Sequence, residues 1–329
     1  MSTRFVPLLL SFFWIACSDR QDANPFDSLL QQPPYASWTQ QIEKDPKNDS
    51  LYYQRARLLF ENQQSEPALL DLKKAWSLRP TPDYALARLE LLEGSPATQF
   101  QFLQEAQRKF PNNFLLELSQ ATLLNQTGSV DSALSITTRW IQAGQSEAEL
   151  FLLHAALLDK KGNSFEAIRV LEILHSHLPQ DHELAEMLAL RYAESGNPKI
   201  FPLCERLQQL DSIGRDATPH YYLGIYYANK KLRNEATQAF DRAIQADHNF
   251  IDAYIEKASL LFESNAYLQA AQVLDKALLI APDHAPVYYW TAKCQQALGD
   301  RESAKLNYMK AYGLDNSFLE AKRAADELK

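Results

Sequence analysis

A chain of 329 residues is longer than one compact core usually supports, so it forms two ordinary domains or a repeat array whose core lengthens with the chain. Hydrophobic residues make up 46% of the chain and glycines number only 9, while the abundant Ala, Leu, Gln, Glu and Lys favour an all-α fold over strands. The net charge of -8, with no Lys- or Arg-rich block, argues against nucleic acid as a partner.

The amino-terminal segment predicts export from the cytoplasm. Arg4 precedes the apolar stretch FVPLLLSFFWIA, whose twelve residues fall short of the roughly 20 that a spanning helix needs. The stretch ends in WIAC, which resembles the lipobox of bacterial lipoproteins, although Trp14 stands where that family usually has Leu. The resemblance implies a signal peptide over residues 1–16, lipid attachment at Cys17 and, because Ser18 follows, sorting to the outer membrane. The alternatives are cleavage nearby by ordinary signal peptidase and a cytosolic protein with an apolar first helix.

Three short segments surround the main body of the chain. Residues 17–34 contain prolines and lack a helical period, so they predict a flexible tether. Residues 35–48 include YASWTQQIEK and predict an amino-terminal capping helix, and residues 319–329 predict a carboxy-terminal one. Such helices cover the apolar faces that a repeat array exposes at its ends.

From residue 49 onward the chain is self-similar, with a period of 34 residues that is clearest in 217–250, 251–284 and 285–318. Positions 8, 20 and 27 of the copies are small, which lets paired helices approach closely, because larger side chains there would overpack the joint. The residues at position 8 are Ala56, Ala121, Ala155, Ala189, Gly224, Ala258 and Ala292. Those at position 20 are Ala68, Ala133, Ala167, Ala236, Ala270 and Ala304, and those at position 27 are Ala75, Ala106, Ala243, Ala277 and Ala311. Bulky residues at position 24 fill the remaining space, namely Leu72, Leu103, Leu171, Phe240, Leu274 and Tyr308.

This pattern resembles the tetratricopeptide repeat, a helix-turn-helix unit that stacks into a right-handed superhelix. The resemblance implies an all-α fold, an α-solenoid of about eight such units between the two capping helices. The implied units are 49–82, 83–113, 114–147, 148–181, 182–216, 217–250, 251–284 and 285–318.

The fifth unit departs from the pattern. It places Phe201 at position 20, where alanine is expected, and has Pro198 and Pro202 near the start of its second helix. We therefore predict a change of superhelical path near residues 198–219. The second unit also departs, because it is about three residues short and has Gln99 in place of alanine.

The resemblance also implies which side chains line a partner-binding groove, since positions 2, 5, 9, 12 and 13 of the first helices face the concave side in this family. The family's carboxylate clamp uses Lys at position 5 and Asn at position 9, and neither occurs here, so binding of chaperone tails is not expected. Tyrosine is common at position 5 in the family, so these aromatic residues are either ordinary scaffold or part of a recognition surface. The implied groove residues are Tyr53, Arg57, Phe60, Leu118, Thr122, Leu152, Asp159, Glu186, Glu194, Tyr221, Ile225, Ile255, Phe262, Tyr289 and Lys293.

No motif in the chain predicts catalysis, a cofactor or a metal site. His175, His177 and His182 lie close in sequence, but residues two apart on a helix point to opposite sides, and HELAE at 182–186 lacks the second histidine of a zinc-protease helix. Cys204 and Cys294 are spaced as neither a disulfide framework nor a metal pair, so we expect them to be small buried residues.

These features favour a non-enzymatic adaptor, lipid-anchored in a bacterial cell envelope, that binds protein or peptide partners in its groove. Neither nucleic acid nor a small-molecule substrate is expected as a ligand. Two alternatives stay open, an accessory or carbohydrate-binding module of an envelope enzyme and a soluble cytosolic scaffold.

Overall fold

The computed structural model describes residues 25–92, 94–211 and 213–328, so the predicted signal peptide and Cys17 lie outside the described residues. The described residues form helices joined by short connections, without a β-strand among them, and the predicted all-α fold is confirmed. The helices are α1 (Asp27–Leu30), α2 (Ala36–Lys44), α3 (Asp49–Glu61), α4 (Ser65–Leu78), α5 (Pro82–Leu91), α6 (Pro96–Lys109), α7 (Phe114–Gln126), α8 (Val130–Gln142), α9 (Ala148–Lys160), α10 (Ser164–His177), α11 (His182–Ser195), α12 (Ile200–Leu210), α13 (Thr218–Asn229), α14 (Arg233–Ala246), α15 (Ile251–Glu263), α16 (Tyr267–Ile280), α17 (Ala285–Ala297), α18 (Arg301–Leu314) and α19 (Leu319–Glu327).

The chain divides into two compact units, one ending at Ile136 and the other beginning at Thr137. In the first unit α3 packs on α4, α4 on α5, and α5 on α6 and α7. In the second, α9 packs on α10, and the pairs α13 with α14, α15 with α16 and α17 with α18 follow in order. Each unit is therefore built from consecutive helix pairs, which is the packing of an α-solenoid. Among the described helices, none combines the length and hydrophobicity that crossing a membrane requires.

The small residues of the repeat lie where the helices meet. Every alanine at positions 8, 20 and 27 is buried, with at most 3% of its surface exposed, and the bulky residues at position 24 are equally buried beside them. At Gly224 even a methyl group would not fit, because an ideal Cβ would lie 2.6 Å from Cδ1 of the Phe240 ring. Side-chain size at these positions thus sets how closely each helix pair packs.

The segment before the first repeat differs from the flexible tether predicted for residues 17–34. Within its described part, α1 forms and Leu30 is buried against α3 and α4 together with Tyr35. The Thr39 hydroxyl on α2 donates to the Leu30 carbonyl oxygen over 2.6 Å. The helix forms because it allows Leu29 and Leu30 to bury apolar surface in the core. The two leucines stand among polar residues, so the sequence shows no helical hydrophobic period there.

A buried ion pair within the first repeat is linked to the same region by a hydrogen bond. Arg55 on α3 donates from Nε and Nη2 to the two carboxylate oxygens of Asp71 on α4, over 2.7 and 2.8 Å. Its Nη1 donates to the Thr39 hydroxyl over 2.8 Å. Both charged side chains are almost fully buried, so the bidentate geometry compensates for part of their lost hydration.

The fifth repeat is irregular in the structure. Its second helix, α12, begins after Pro198 and has 11 residues, against 14 in α10 and α14. Helix α11 packs more extensively against α13 than against its own partner α12. A change of superhelical path near residues 198–219 stays a prediction, and the altered packing of α11 is consistent with it.

Candidate partner-binding surfaces

The first candidate surface is a cavity between α3 and α5, which we call the α3–α5 cavity. Its volume is about 260 Å³, and it brings together the three groove residues predicted in the first repeat, Tyr53, Arg57 and Phe60. Phe60 is 40% exposed, Arg57 is exposed and Tyr53 is half-buried. The cavity is lined by Tyr53, Ala56, Arg57, Phe60, Glu61, Leu72, Ala87, Glu90 and Leu91.

Local packing positions the side chains of this cavity. The ring of Tyr53 lies against that of Tyr84 on α5, with 4.7 Å between ring centroids, which fixes one wall. Arg57 and Glu61 are one helical turn apart and 3.9 Å from each other, and both stay exposed at the rim. Exposed pairs of this kind contribute little to stability, so both groups remain available to a partner. The cavity therefore offers an apolar floor and a rim with charges of both signs.

The second candidate surface, which we call the Trp290 cluster, consists of Phe262, Tyr267, Trp290 and Lys293, and the buried Tyr289 lies beneath Lys293. The Lys293 ammonium lies 4.2 Å from the Trp290 ring centroid, 5.3 Å from that of Phe262 and 5.5 Å from that of Tyr289. Phe262 also contacts Tyr267, with 5.0 Å between centroids, and Trp290, with 5.9 Å. Cation–π attraction thus holds the lysine over an aromatic patch on α15 and α17.

Phe262 and Lys293 of this cluster are among the groove residues implied by the resemblance, whereas Trp290 is not. The run VYYW at 287–290 was a usable signal, because a tryptophan one residue after a groove position is large enough to reach the same face.

Carboxylates collect around Tyr221 on α13. Its ring packs against Phe250, with 5.1 Å between centroids, and burial, followed by the negative charges of Glu256 and Asp252, raises the pKa of its hydroxyl. Burial also raises the pKa of Glu256, and the charges of Asp252 and Glu263 add to that shift. The first helices of the sixth and seventh repeats therefore carry an acidic surface beside an aromatic one.

Other predicted groove residues are engaged in internal contacts. Leu118, Ile255 and Tyr289 are buried, and the Tyr289 hydroxyl donates to a carboxylate oxygen of Glu320. These residues do not line an open groove as expected, because the first helices of neighbouring repeats pack side by side and cover them. Examples are α13 on α15 and α15 on α17. The remaining positions are more open: Leu152 and Glu194 are exposed, Ile225 is half-buried, Thr122 bonds within its own helix, and Asp159 pairs with Arg191 over 2.7 Å.

The two described cysteines are fully buried, as the sequence predicted. Burial raises the pKa of Cys204 to about 12 and that of Cys294 to about 11. A thiol with so high a pKa carries little thiolate near neutral pH, which makes it a poor nucleophile and a poor metal ligand.

Comparison with known proteins supports the repeat pattern found in the sequence. Residues 261–306 match the family model described as tetratricopeptide repeat. A tetratricopeptide repeat protein from Parabacteroides merdae ATCC 43184 has the same fold, with a TM-score of 0.54 and 16% identity over 89% of this chain and 99% of that chain. At this identity the likeness establishes the fold alone.

Two shorter structures resemble parts of the chain. One is the MamA 41-end from Desulfovibrio magneticus RS-1, with a TM-score of 0.37 and 21% identity over 45% of this chain and 82% of that chain. The other is the first TPR of Spaghetti (RPAP3) bound to the HSP90 peptide SRMEEVD, with a TM-score of 0.34 and 19% identity over 35% of this chain and 91% of that chain. No curated protein sequence matches the chain.

Proposed function

We propose that this protein, an α-solenoid of the tetratricopeptide repeat type, is a non-enzymatic adaptor that binds protein partners on its first helices and is anchored to a bacterial envelope membrane through a lipid at Cys17. The observation that carries the binding role is the pair of aromatic surfaces on first helices, the α3–α5 cavity and the Trp290 cluster. Solenoids use the surfaces formed by successive repeats for recognition, and aromatic and arginine side chains dominate binding energy at interfaces.

The size of the α3–α5 cavity favours a peptide anchor over a free small molecule. Its volume of about 260 Å³ is below the 300 to 1,000 Å³ that is typical of small-molecule sites. One large apolar side chain of a helical or extended segment fits such a cavity, and Arg57, Glu61 and Glu90 at its edge then provide polar contacts.

Crosslinking mass spectrometry on intact envelopes tests the binding role. The variant Phe60→Ala removes an exposed side chain of the cavity, and Phe165→Ala removes an even more exposed phenylalanine from the second helix α10. We expect Phe60→Ala to lose partner crosslinks around α3 and α5, and Phe165→Ala to keep them. Unchanged crosslinks in Phe60→Ala would contradict a role for the cavity, and saccharide binding without any protein crosslink would favour the carbohydrate-binding alternative.

The lipid anchor is tested separately from partner binding. Metabolic labelling with palmitate should mark the wild-type protein and not Cys17→Ser. Absence of label from both would refute lipidation and leave cleavage by ordinary signal peptidase and a cytosolic scaffold as the two alternatives.

A further inference from the structure

A cluster of metal-ligating side chains lies at the irregular fifth repeat and shares no residue with either candidate surface. It consists of His182 and Glu186 on α11 and of Asp216 in the connection before α13, and we call it the His182 cluster. One ligand atom from each of the three residues lies within 4.8 Å of the others. Asp216 is 34 residues from His182 along the chain, so only the fold brings the set together.

The spacing within the cluster suits a small divalent cation. Ligand atoms bound about 2.0 to 2.1 Å from a tetrahedral zinc ion are roughly 3.4 Å apart. His182 Nε2 and Glu186 Oε1 are separated by 3.3 Å, so this pair already has that separation. Residues four apart share one helical face, which keeps the pair aligned without strain.

The charges in the cluster lack a permanent counterion. Within the described chain, Glu186 pairs only with His182, and Asp216 forms no ion pair with a lysine or arginine. Both carboxylates are partly buried, and each offers an oxygen within 4.8 Å of the other and of a His182 ring nitrogen. A cation bound to these three atoms would relieve the repulsion between the two carboxylates.

Hydrogen bonds in the connection fix the position of Asp216. Its backbone N–H donates to Oδ2 of Asp211 over 2.7 Å, and its own Oδ1 accepts from the Thr218 N–H over 2.9 Å. Asp211 also accepts the Ile213 N–H, so several backbone groups hold this turn together. The second carboxylate oxygen of Asp216 accepts no hydrogen bond from the described residues and is free to bind a ligand.

We propose that His182, Glu186 and Asp216 bind one zinc ion through one atom each, with water completing the coordination. An imidazole nitrogen with two carboxylate oxygens suits zinc, whereas calcium and magnesium favour sites made only of oxygen atoms. The ion joins α11 to the connection that follows the short helix α12, and so fixes the repeat in which α11 packs more extensively against α13 than against α12.

Isothermal titration of the full chain, purified without a polyhistidine tag and freed of metal, tests this site. We expect about one zinc ion per chain. Since removal of groups that only support a ligand costs 10- to 100-fold in affinity, loss of a ligand in His182→Ala or Glu186→Gln should cost at least about 100-fold. The matched control is His177→Ala, which removes a neighbouring exposed histidine outside the cluster and should leave the affinity unchanged.

Thermal unfolding provides a second readout that separates ligand loss from misfolding. Zinc should raise the melting temperature of the wild type and of His177→Ala, and it should not raise that of His182→Ala or Asp216→Asn, although all four should have the same helical circular dichroism. No saturable zinc binding by the wild type, an unchanged affinity in His182→Ala, or an equal loss in His177→Ala would each overturn the proposal.

Discussion

The substitution Gly224→Ala separates the packing argument from helix propensity, because the two effects have opposite signs. Alanine is favoured over glycine inside a helix by about 1 kcal/mol. At Gly224, however, an added Cβ would lie 2.6 and 2.8 Å from Cδ1 and Cζ of Phe240, whereas carbon atoms in contact prefer about 3.5 to 4.0 Å. Phe240 is fully buried and belongs to a core cluster with alanines of α14 and α15.

The overlap of about 1 Å places this substitution at the upper end of the range for overpacking, about 3 kcal/mol. After subtraction of the propensity gain, we expect Gly224→Ala to lower the free energy of unfolding by about 2 kcal/mol. Gly313 on α18 is the matched control, because nothing lies within 4 Å of its ideal Cβ. Gly313→Ala should therefore be neutral or stabilise the protein by up to about 1 kcal/mol.

The double substitution Gly224→Ala with Phe240→Leu recreates the alanine and leucine pair of other repeats, such as Ala155 with Leu171. We expect it to be more stable than the sum of the single changes predicts, by at least about 1 kcal/mol. Urea unfolding followed by circular dichroism measures Gly224→Ala, Phe240→Leu, the double substitution and Gly313→Ala, and the midpoints are comparable where the slopes agree. A neutral or stabilising Gly224→Ala, or strictly additive changes, would refute the packing argument.

Three further predictions concern buried groups. Asp71→Ala leaves the Arg55 charge buried without its partner, so it should cost roughly 3 to 5 kcal/mol in urea unfolding, while Arg55→Met with Asp71→Leu should cost less. Burial lowers the pKa of His154 below its ordinary 6.5, so its stabilising effect is present above about pH 6.5 and is lost as the pH falls through the lower folded-state pKa. The melting temperature should therefore fall between pH 7.5 and 5.5, and fall less in His154→Gln. Alkylation at pH 8 should modify Cys204 and Cys294 only after unfolding, because both are fully buried with raised pKa values.

A different experimental result would contradict each of these three predictions. A wild-type urea midpoint in the Asp71→Ala variant would mean that the buried pair does not stabilise the fold. Equal pH dependence in the wild type and His154→Gln would show that this histidine does not contribute to it. Rapid alkylation of either cysteine in folded protein would show that its helix pair opens readily.

The candidate surfaces could be predicted only in part. Tyr53, Arg57 and Phe60, which the family resemblance implied as groove residues, line one cavity, because all three come from a single helix whose exposed side is set by its own periodicity. Trp290 was missed, and Tyr289 is buried although its position implied exposure. The exposure of these side chains depends on how much of them is covered by the first helix of the following repeat. This coverage is a property of how neighbouring repeats pack and not of one helix.

By itself, the sequence determined the all-α fold and the residues at which paired helices meet, because side-chain size at positions 8, 20 and 27 acts locally and repeats with the period. Only the tertiary structure decided that Gly224 has no room for a methyl group, whereas Ala292 is accommodated beside the equally bulky Tyr308. It also decided that Arg55 and Asp71 form a buried pair and that Asp216 meets His182. From the sequence alone, charged residues in a repeat are expected to be solvent-exposed. Their partners are determined only when helices that are distant in the chain pack against each other.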